Sequence, residues 1–105
     1  MNCRRGRIGE TSPARFALHQ NRPNPFRGTT VIAFDLAADA EVSLAVFDLL
    51  GRRVATLADR VYPAGAHAVE WDLRDAGGAR VAPGVYVYRL EAGTFRARRK
   101  MSVVP

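Results

Sequence analysis

The chain has a single cysteine, Cys3, among its 105 residues, so no disulfide can form within it. A fold stabilised by internal disulfides is thereby excluded. No apolar run approaches the roughly 20 consecutive residues that a membrane-spanning helix needs. The first 15 residues are basic but are not followed by an apolar stretch, so we do not interpret them as a secretory signal peptide. If the protein is exported, the export signal is expected elsewhere, or the chain is a fragment of a longer protein.

The sequence is also poor in patterns that carry catalysis. Its two histidines, His19 and His67, lie on separate segments, and it has no nucleophile elbow, phosphate-binding loop or zinc-ligand spacing. Asp72 and Asp75 flank a turn, but calcium takes six to eight oxygen ligands and few carboxylates are near. We interpret these two side chains, and Asp48, as acceptors of backbone N–H groups in turns. The sequence therefore predicts no enzyme, no cofactor and no metal site.

The net charge of +6 is concentrated at the two ends of the chain. Residues 1–15 contain four arginines and one acid, and residues 96–100 contain three arginines and Lys100 with no acid. The segment between them is close to neutral. A nucleic-acid-binding protein more often has a basic face with aromatic side chains among the charges. We therefore expect no nucleic-acid partner, and binding of an anionic polymer through the terminal arginines is a third-ranked hypothesis.

Apolar residues recur at every second position after residue 30, which is the period of a β-strand. Six or seven short strands are predicted, separated by turns that contain Gly51, Gly65 and Gly84, and no helix is expected. This pattern indicates an all-β fold, an antiparallel β-sandwich. We expect a leader or linker over residues 1–15, basic and disordered, and one domain over residues 16–105. The predicted core residues are Ile32, Phe34, Val46, Val69, Trp71, Tyr86 and Tyr88.

Arg99 interrupts the alternation of the last predicted strand. It falls on the same parity as the apolar Met101 and Val103, whereas the other basic residues share the opposite parity. A β-bulge, an edge position or a pairing partner for the guanidinium would each explain it, and a bulge or an edge position is favoured.

Six short motifs follow one another along nearly the whole chain past the leader. The first is Leu18–Phe26 (LHQNRPNPF), and Pro25 restricts Asn24 to extended conformations. The others are Thr30–Leu36 (TVIAFDL), Val42–Leu57 (VSLAVFDLLGRRVATL), Ala64–Asp72 (AGAHAVEWD), Gly84–Leu90 (GVYVYRL) and Arg99–Met101 (RKM). Packing explains most of these positions, such as Trp71 and Tyr86, but not the exposed Lys100 or the Pro-Asn-Pro sequence.

In this order and spacing the motifs resemble the type A C-terminal sorting domains of the bacterial type IX secretion system. They are also similar to the immunoglobulin-like domain of flagellar hook-capping proteins. Arg22 stands where the family usually has an aromatic residue, and Phe47 stands where it usually has tyrosine. The resemblance implies an immunoglobulin-like sandwich of about seven strands. It assigns structural positions to Gly51, Gly65, Trp71, Asp72, Gly84 and Tyr86, and recognition by a partner to Pro23, Asn24, Pro25, Arg99, Lys100 and Met101.

The resemblance implies two functions. The first is a non-catalytic sorting domain at the C-terminus of a covalently attached cargo. An outer-membrane translocon and its processing machinery would take that cargo from the periplasm to the cell surface or the medium. The alternative is a structural immunoglobulin-like module of the hook-cap or surface-stalk kind, which needs no translocon. We expect no transmembrane segment in the chain.

Overall fold

The computed structural model describes residues 15–105. The expected leader lies outside the described residues as far as residue 14, as does Cys3. Seven strands occur in the described part of the chain, all of them predicted from the alternation except the first, which has two residues. They are β1 (Ala17–Leu18), β2 (Thr30–Leu36), β3 (Ala40–Phe47), β4 (Arg53–Tyr62), β5 (Gly65–Trp71), β6 (Gly84–Ala92) and β7 (Phe95–Val103).

The strands form two antiparallel sheets. The smaller sheet has the order β1-β2-β5 and the larger has the order β4-β3-β6-β7. Every strand pairing is antiparallel, and β6 and β7 pair without a register shift from Gly84–Val103 to Ala92–Phe95. No strand has partners in both sheets, so the core lies between them. The predicted antiparallel sandwich is confirmed.

The alternation of each strand decides which side chains enter the core. In β2, Ile32, Phe34 and Leu36 are fully buried, while the residues between them face outward. Removing an aliphatic or aromatic side chain of this size from water contributes about 1.5–3 kcal/mol of stability. The hydrophobic effect on these alternate positions therefore fixes the face that β2 turns toward the other sheet.

Aromatic side chains fill the middle of the core. The Trp71 ring packs edge-to-face against Phe26 at 6.2 Å and against Tyr86 at 5.9 Å between centroids. Six of the seven predicted core residues are buried. Val69 is only half-buried, because β5 is an edge strand and part of its inward face stays open to solvent.

The sequence predicts that three aspartates accept backbone N–H groups in turns, and the structure confirms this for Asp48 and Asp75 but not for Asp72. The Asp48 carboxylate accepts the N–H groups of Leu50 and Arg52 at 2.9 and 3.0 Å, with Gly51 at φ 84° between them. Asp75 accepts two backbone N–H groups at 2.9 Å in the same way. Asp72 is exposed and lies 3.9 Å from the Arg74 guanidinium, so its contact is an ion pair.

Strand β4 reaches Tyr62, five residues beyond the end of the Val42–Leu57 motif. Its pairing with β3 shifts register twice, between Leu44 and Ala45 and between Val46 and Phe47. These irregularities change which residues face inward, so simple alternation fails along β4. No helix long and apolar enough to cross a membrane occurs in residues 15–105.

Candidate recognition surface at the terminal strand

Residues 18–26, here named the opening segment, lie along the outer edge of β7. The Phe26 N–H donates to the Ser102 carbonyl at 3.0 Å, and the Val104 N–H donates to the Phe26 carbonyl at 2.8 Å. These two bonds form a short parallel bridge between Phe26 and Val103. The Phe26 ring is buried beneath the bridge against Trp71. The opening segment is therefore attached to the end of the chain by main-chain bonds and by an aromatic anchor.

Two polar side chains of the opening segment pair with further backbone groups at this edge. The Ser102 N–H donates to Asn24 Oδ1 at 2.8 Å, and Gln20 Nε2 donates to the Lys100 carbonyl at 2.8 Å. An edge strand has a row of unpaired N–H and C=O groups that can pair with other chains. The opening segment satisfies these groups from Lys100 to Val104.

A buried amide holds the opening segment in shape. Asn21 is 1% exposed, and its Nδ2 donates to Thr30 Oγ1 at 3.0 Å and to the Pro23 carbonyl at 3.2 Å. The Asn21 N–H donates to the Tyr88 hydroxyl at 2.8 Å, and that hydroxyl donates to the His19 carbonyl at 2.6 Å. Buried polar groups are costly unless each has a partner. This network therefore fixes the path of the chain into Pro23.

Tyr88 lies at the centre of this network, opposite Arg99 in the β6–β7 register. Burial raises the pKa of the Tyr88 hydroxyl, while the N–H of Asn21 and the positive charge of Arg99 act in the opposite direction. The neutral phenol is therefore the form that the folded state favours.

Arg99 joins the two sheets at the margin of the sandwich. Its Nε donates to the Leu18 carbonyl of β1 at 2.6 Å. The regular β6–β7 register excludes the bulge that the sequence analysis favoured, while the edge position is confirmed. The inward parity of Arg99 follows from this pairing, because the guanidinium has to cross the margin to reach β1.

The structure brings the predicted recognition residues into one region. Pro23, Asn24 and Pro25 are exposed beside the end of β7, and Lys100 is exposed on its outward face. Met101 is 1% exposed and lies opposite Tyr86 in the core. The part of all these residues in recognition stays a prediction. The structural contacts of Asn24 were not indicated by the sequence.

The predicted structural positions lie at turns and in the core. Gly65 and Gly84 have φ of 136° and 149°, which only glycine adopts readily, and each begins a strand. Trp71 Nε1 donates to the Arg74 carbonyl at 2.9 Å, and the Tyr86 hydroxyl donates to the Ala82 carbonyl at 2.6 Å. Both aromatic residues are thus satisfied at their polar ends while their rings are buried.

The surface beside the opening segment is concave. A groove of about 750 Å³ runs between the opening segment and the outward residues Val31 and Ala33 of β2. His19 lies at one side of it, with Nε2 2.8 Å from the Asp35 carboxylate. Among residues 15–105, no three His, Cys, Asp or Glu side chains converge as a metal site would require. His67 packs against Phe34 and Tyr62 with its Nε2 2.7 Å from the Pro63 carbonyl, which is a structural contact.

Two antiparallel sheets that enclose a core with a central tryptophan define the class of protein, an immunoglobulin-like β-sandwich domain. The model of the FlgD Ig-like domain matches residues 20–94. The chain belongs to the FlgD Ig-like domain family. The match covers most of the chain but ends before β7. No curated protein sequence matches the chain.

Solved structures with the same fold include two proteins of Porphyromonas gingivalis. Dimeric latent PorU matches with a TM-score of 0.70 and 24% identity over 85% of this chain, which is 9% of the PorU chain. PorZ, an essential bacterial surface component of the type IX secretion system, matches with a TM-score of 0.59 and 24% identity. That match covers 84% of this chain and 11% of the PorZ chain.

A protein of another function has the same fold over a similar length. The alkylpurine DNA glycosylase AlkC of Pseudomonas fluorescens matches with a TM-score of 0.53 and 16% identity. The match covers 87% of this chain and 31% of AlkC. Because one fold serves several functions, these likenesses establish the architecture alone.

Proposed function

We propose that this domain is a non-catalytic sorting domain that directs an attached cargo protein out of the cell by type IX secretion. The observation that carries the proposal is the position of β7, an edge strand that exposes Lys100 at the end of the domain. The opening segment lies directly beside it. A translocon that binds this region would contact both ends of the domain at once.

The contacts of the two segments support a composite recognition surface. Asn24 and Gln20 pair with backbone groups of Ser102 and Lys100, so the exposed Pro23 and Pro25 are held near the terminal strand. Within residues 15–105, no ion pair involves the Lys100 ammonium. Its charge is therefore available to a partner without breaking a contact within the domain.

The fold comparison gives a second line of support. PorZ is described as a surface component of the type IX secretion system, and this chain shares its fold over one domain. In this proposal the domain acts outside the cytoplasm, with the translocon and its processing machinery as partners. The cargo is covalently attached upstream of the domain.

An export assay tests the proposal. The full chain is fused behind a periplasmic reporter in a bacterium with a type IX translocon, and surface reporter is measured by protease accessibility on intact cells. We expect the reporter at the surface, and we expect Lys100→Ala to reduce it severely. Arg27→Ala, which removes another exposed cation just after the opening segment, is the matched control and should export normally.

The outcomes separate three interpretations. If the folded, unaltered domain leaves the reporter in the periplasm, the sorting function is wrong. If Lys100→Ala exports as well as Arg27→Ala, sorting stands and the assignment of Lys100 is wrong. Circular dichroism of each purified variant establishes that the sandwich is intact, so that lost export is not due to misfolding.

A structural module of the hook-cap or surface-stalk kind is the alternative. The observation that favours it is the family match, which ends at residue 94 and does not include β7. A module of this kind needs no recognition of its last strand. It predicts that the domain stabilises or spaces its neighbours in a longer protein and leaves the reporter where the signal peptide delivers it.

A further inference from the structure

The outward face of the larger sheet carries a row of side chains outside the core, and only its last member, Lys100, has a part in the proposed function. The registers of the three strand pairings align one residue from each strand across this face. In order across the sheet, the row consists of Arg53, Phe47, Val87 and Lys100. The two apolar members lie in the middle and are only half-buried.

Guanidinium groups surround this apolar centre. The Arg89 guanidinium carbon lies 4.6 Å from the centre of the Phe47 ring, and that of Arg53 lies 5.6 Å from it. Arg98 lies opposite Arg89 in the next row of the sheet. A guanidinium stacked on a ring has N–H groups at its edge that can pair with a carboxylate. In Arg53 one of them, on Nη1, already donates to Thr56 Oγ1 at 3.0 Å.

A pocket of about 250 Å³ opens between these groups. Phe47, Val87 and Leu49 supply its apolar lining, and Arg89 and Arg98 lie beside them. Apolar cavities of about 150 Å³ accept a benzene ring. The pocket is therefore large enough for one apolar side chain, and Leu49, 64% exposed, extends its apolar surface.

Three acidic residues lie on or beside this face, and of these only Asp48 lines the pocket. Asp59 and Glu91 occupy the same cross-strand row as Ser43, which is the outward-facing row next to that of Arg89 and Arg98. Glu91 is shared between Arg89 at 3.6 Å and Arg96 at 3.7 Å. Asp48, in the adjoining turn, pairs with Arg52 at 2.9 Å. The region around the pocket thus keeps an excess of positive charge.

We infer that this face is a docking surface for a protein segment that carries carboxylates on both sides of one apolar side chain. The apolar side chain enters the pocket, and the carboxylates pair with Arg89, Arg98 and Arg53. Charge complementarity selects an acidic partner, and the apolar pocket selects a polypeptide over a polysaccharide, which has no such side chain. The inference goes beyond the sorting function and does not depend on Lys100.

A binding measurement with defined probes tests the inference. The probe is a synthetic peptide with one leucine between two pairs of glutamates, titrated into the full chain at low salt. Changes in amide chemical shifts are expected at Phe47, Val87 and Arg98. The same peptide with glutamine in place of every glutamate should bind at least about tenfold more weakly, because charge pairing is lost.

Charge-reversal variants provide the matched comparison. Arg98→Glu should weaken binding of the acidic peptide about tenfold or more, whereas Arg27→Glu, the same charge change off this face, should leave it within about twofold. Val87→Asp removes the apolar floor of the pocket and should abolish binding while the melting temperature shows that the domain folds. These variants leave Lys100 and the opening segment unchanged, so a failed export assay and a failed docking surface are distinguishable.

Three results would overturn the inference. Shift changes confined to other faces would place the site elsewhere. Equal effects of Arg98→Glu and Arg27→Glu would show that binding depends on the net charge of the protein and not on this face. Tighter binding of heparin than of the acidic peptide, with shifts on the same face, would assign the surface to an anionic polysaccharide.

Discussion

At the scale of single residues, Asn21 and Arg99 connect segments at the margin of the sandwich by hydrogen bonds. Asn21 is buried and joins the opening segment to Thr30 and Tyr88 by hydrogen bonds. Arg99 uses its guanidinium to connect β7 to the Leu18 carbonyl of the other sheet. Asn21 is tolerated in the core because its partners replace the water that burial removes.

Asn21→Ala should lower the free energy of unfolding by about 2 kcal/mol, because it leaves the buried Thr30 hydroxyl without one of its partners. Chemical denaturation monitored by Trp71 fluorescence measures the loss. The exposed neighbour Gln20 is the control, and Gln20→Ala should cost about 0.5–1 kcal/mol. Equal losses in the two variants would contradict the importance of burial for the network.

Tyr88 should make the domain sensitive to alkali. Burial raises its pKa in the folded state above the ordinary value of about 10, so the unfolded state loses its proton first. The contribution of the neutral phenol to the free energy of unfolding is fully present below about pH 10. It is lost as the pH rises through the folded pKa of Tyr88.

Thermal melts from pH 8 to pH 11 measure this sensitivity. Tyr88→Phe should be less stable at pH 8, because the hydrogen bonds to His19 and Asn21 are lost, but its melting temperature should fall less steeply with pH. Some slope should remain, since burial also raises the pKa of Tyr86. Parallel curves for the two proteins would contradict the assignment.

At the scale of elements, the turn between β3 and β4 depends on one carboxylate. The N–H of Arg52 is the main cause that lowers the pKa of Asp48. Desolvation opposes it, and the Arg52 guanidinium and the N–H of Leu50 lower the pKa further. The charged form therefore stabilises the hairpin turn, and the contribution exists only while Asp48 is ionised.

Asp48→Ala should lower the melting temperature at pH 7, whereas Asp48→Asn should cost less because the amide oxygen can still accept the two N–H groups. Because the folded pKa lies below 3.8, the contribution of the carboxylate is present above that pH and is lost as the pH falls through the folded pKa. The wild type and Asp48→Ala should thus converge in stability as the pH falls through the folded pKa. A pH-independent difference between them would show that the charge has no role.

The sequence predicted most strands because each has one buried face and one exposed face, which produces an alternation of apolar and polar residues. It was less accurate where pairing is irregular, as in β4, and where a strand is too short to alternate, as in β1. Contacts of the opening segment with β7 could not be predicted. Asn24 and Ser102 are 78 positions apart, and a side chain that accepts one distant N–H leaves no periodic trace.

At the scale of the whole molecule, the two ends of the domain close on each other. One edge of the larger sheet is β7, and the opening segment covers it from Lys100 to Val104 by four hydrogen bonds. Covering an edge protects it against unwanted pairing with other chains. It also gives any partner that binds the end of the chain a surface built from both segments, which is the central claim of the proposed recognition surface.

Amide hydrogen exchange of Ser102 and Val104 tests that claim most directly. The Ser102 N–H is bonded to a side chain of the opening segment and the Val104 N–H to its backbone. Both should be protected in the wild type, and Asn24→Ala should remove protection at Ser102 while largely preserving it at Val104. If both amides exchange in the wild type as fast as in an unfolded peptide, the opening segment does not cover the terminal strand and the composite surface does not exist.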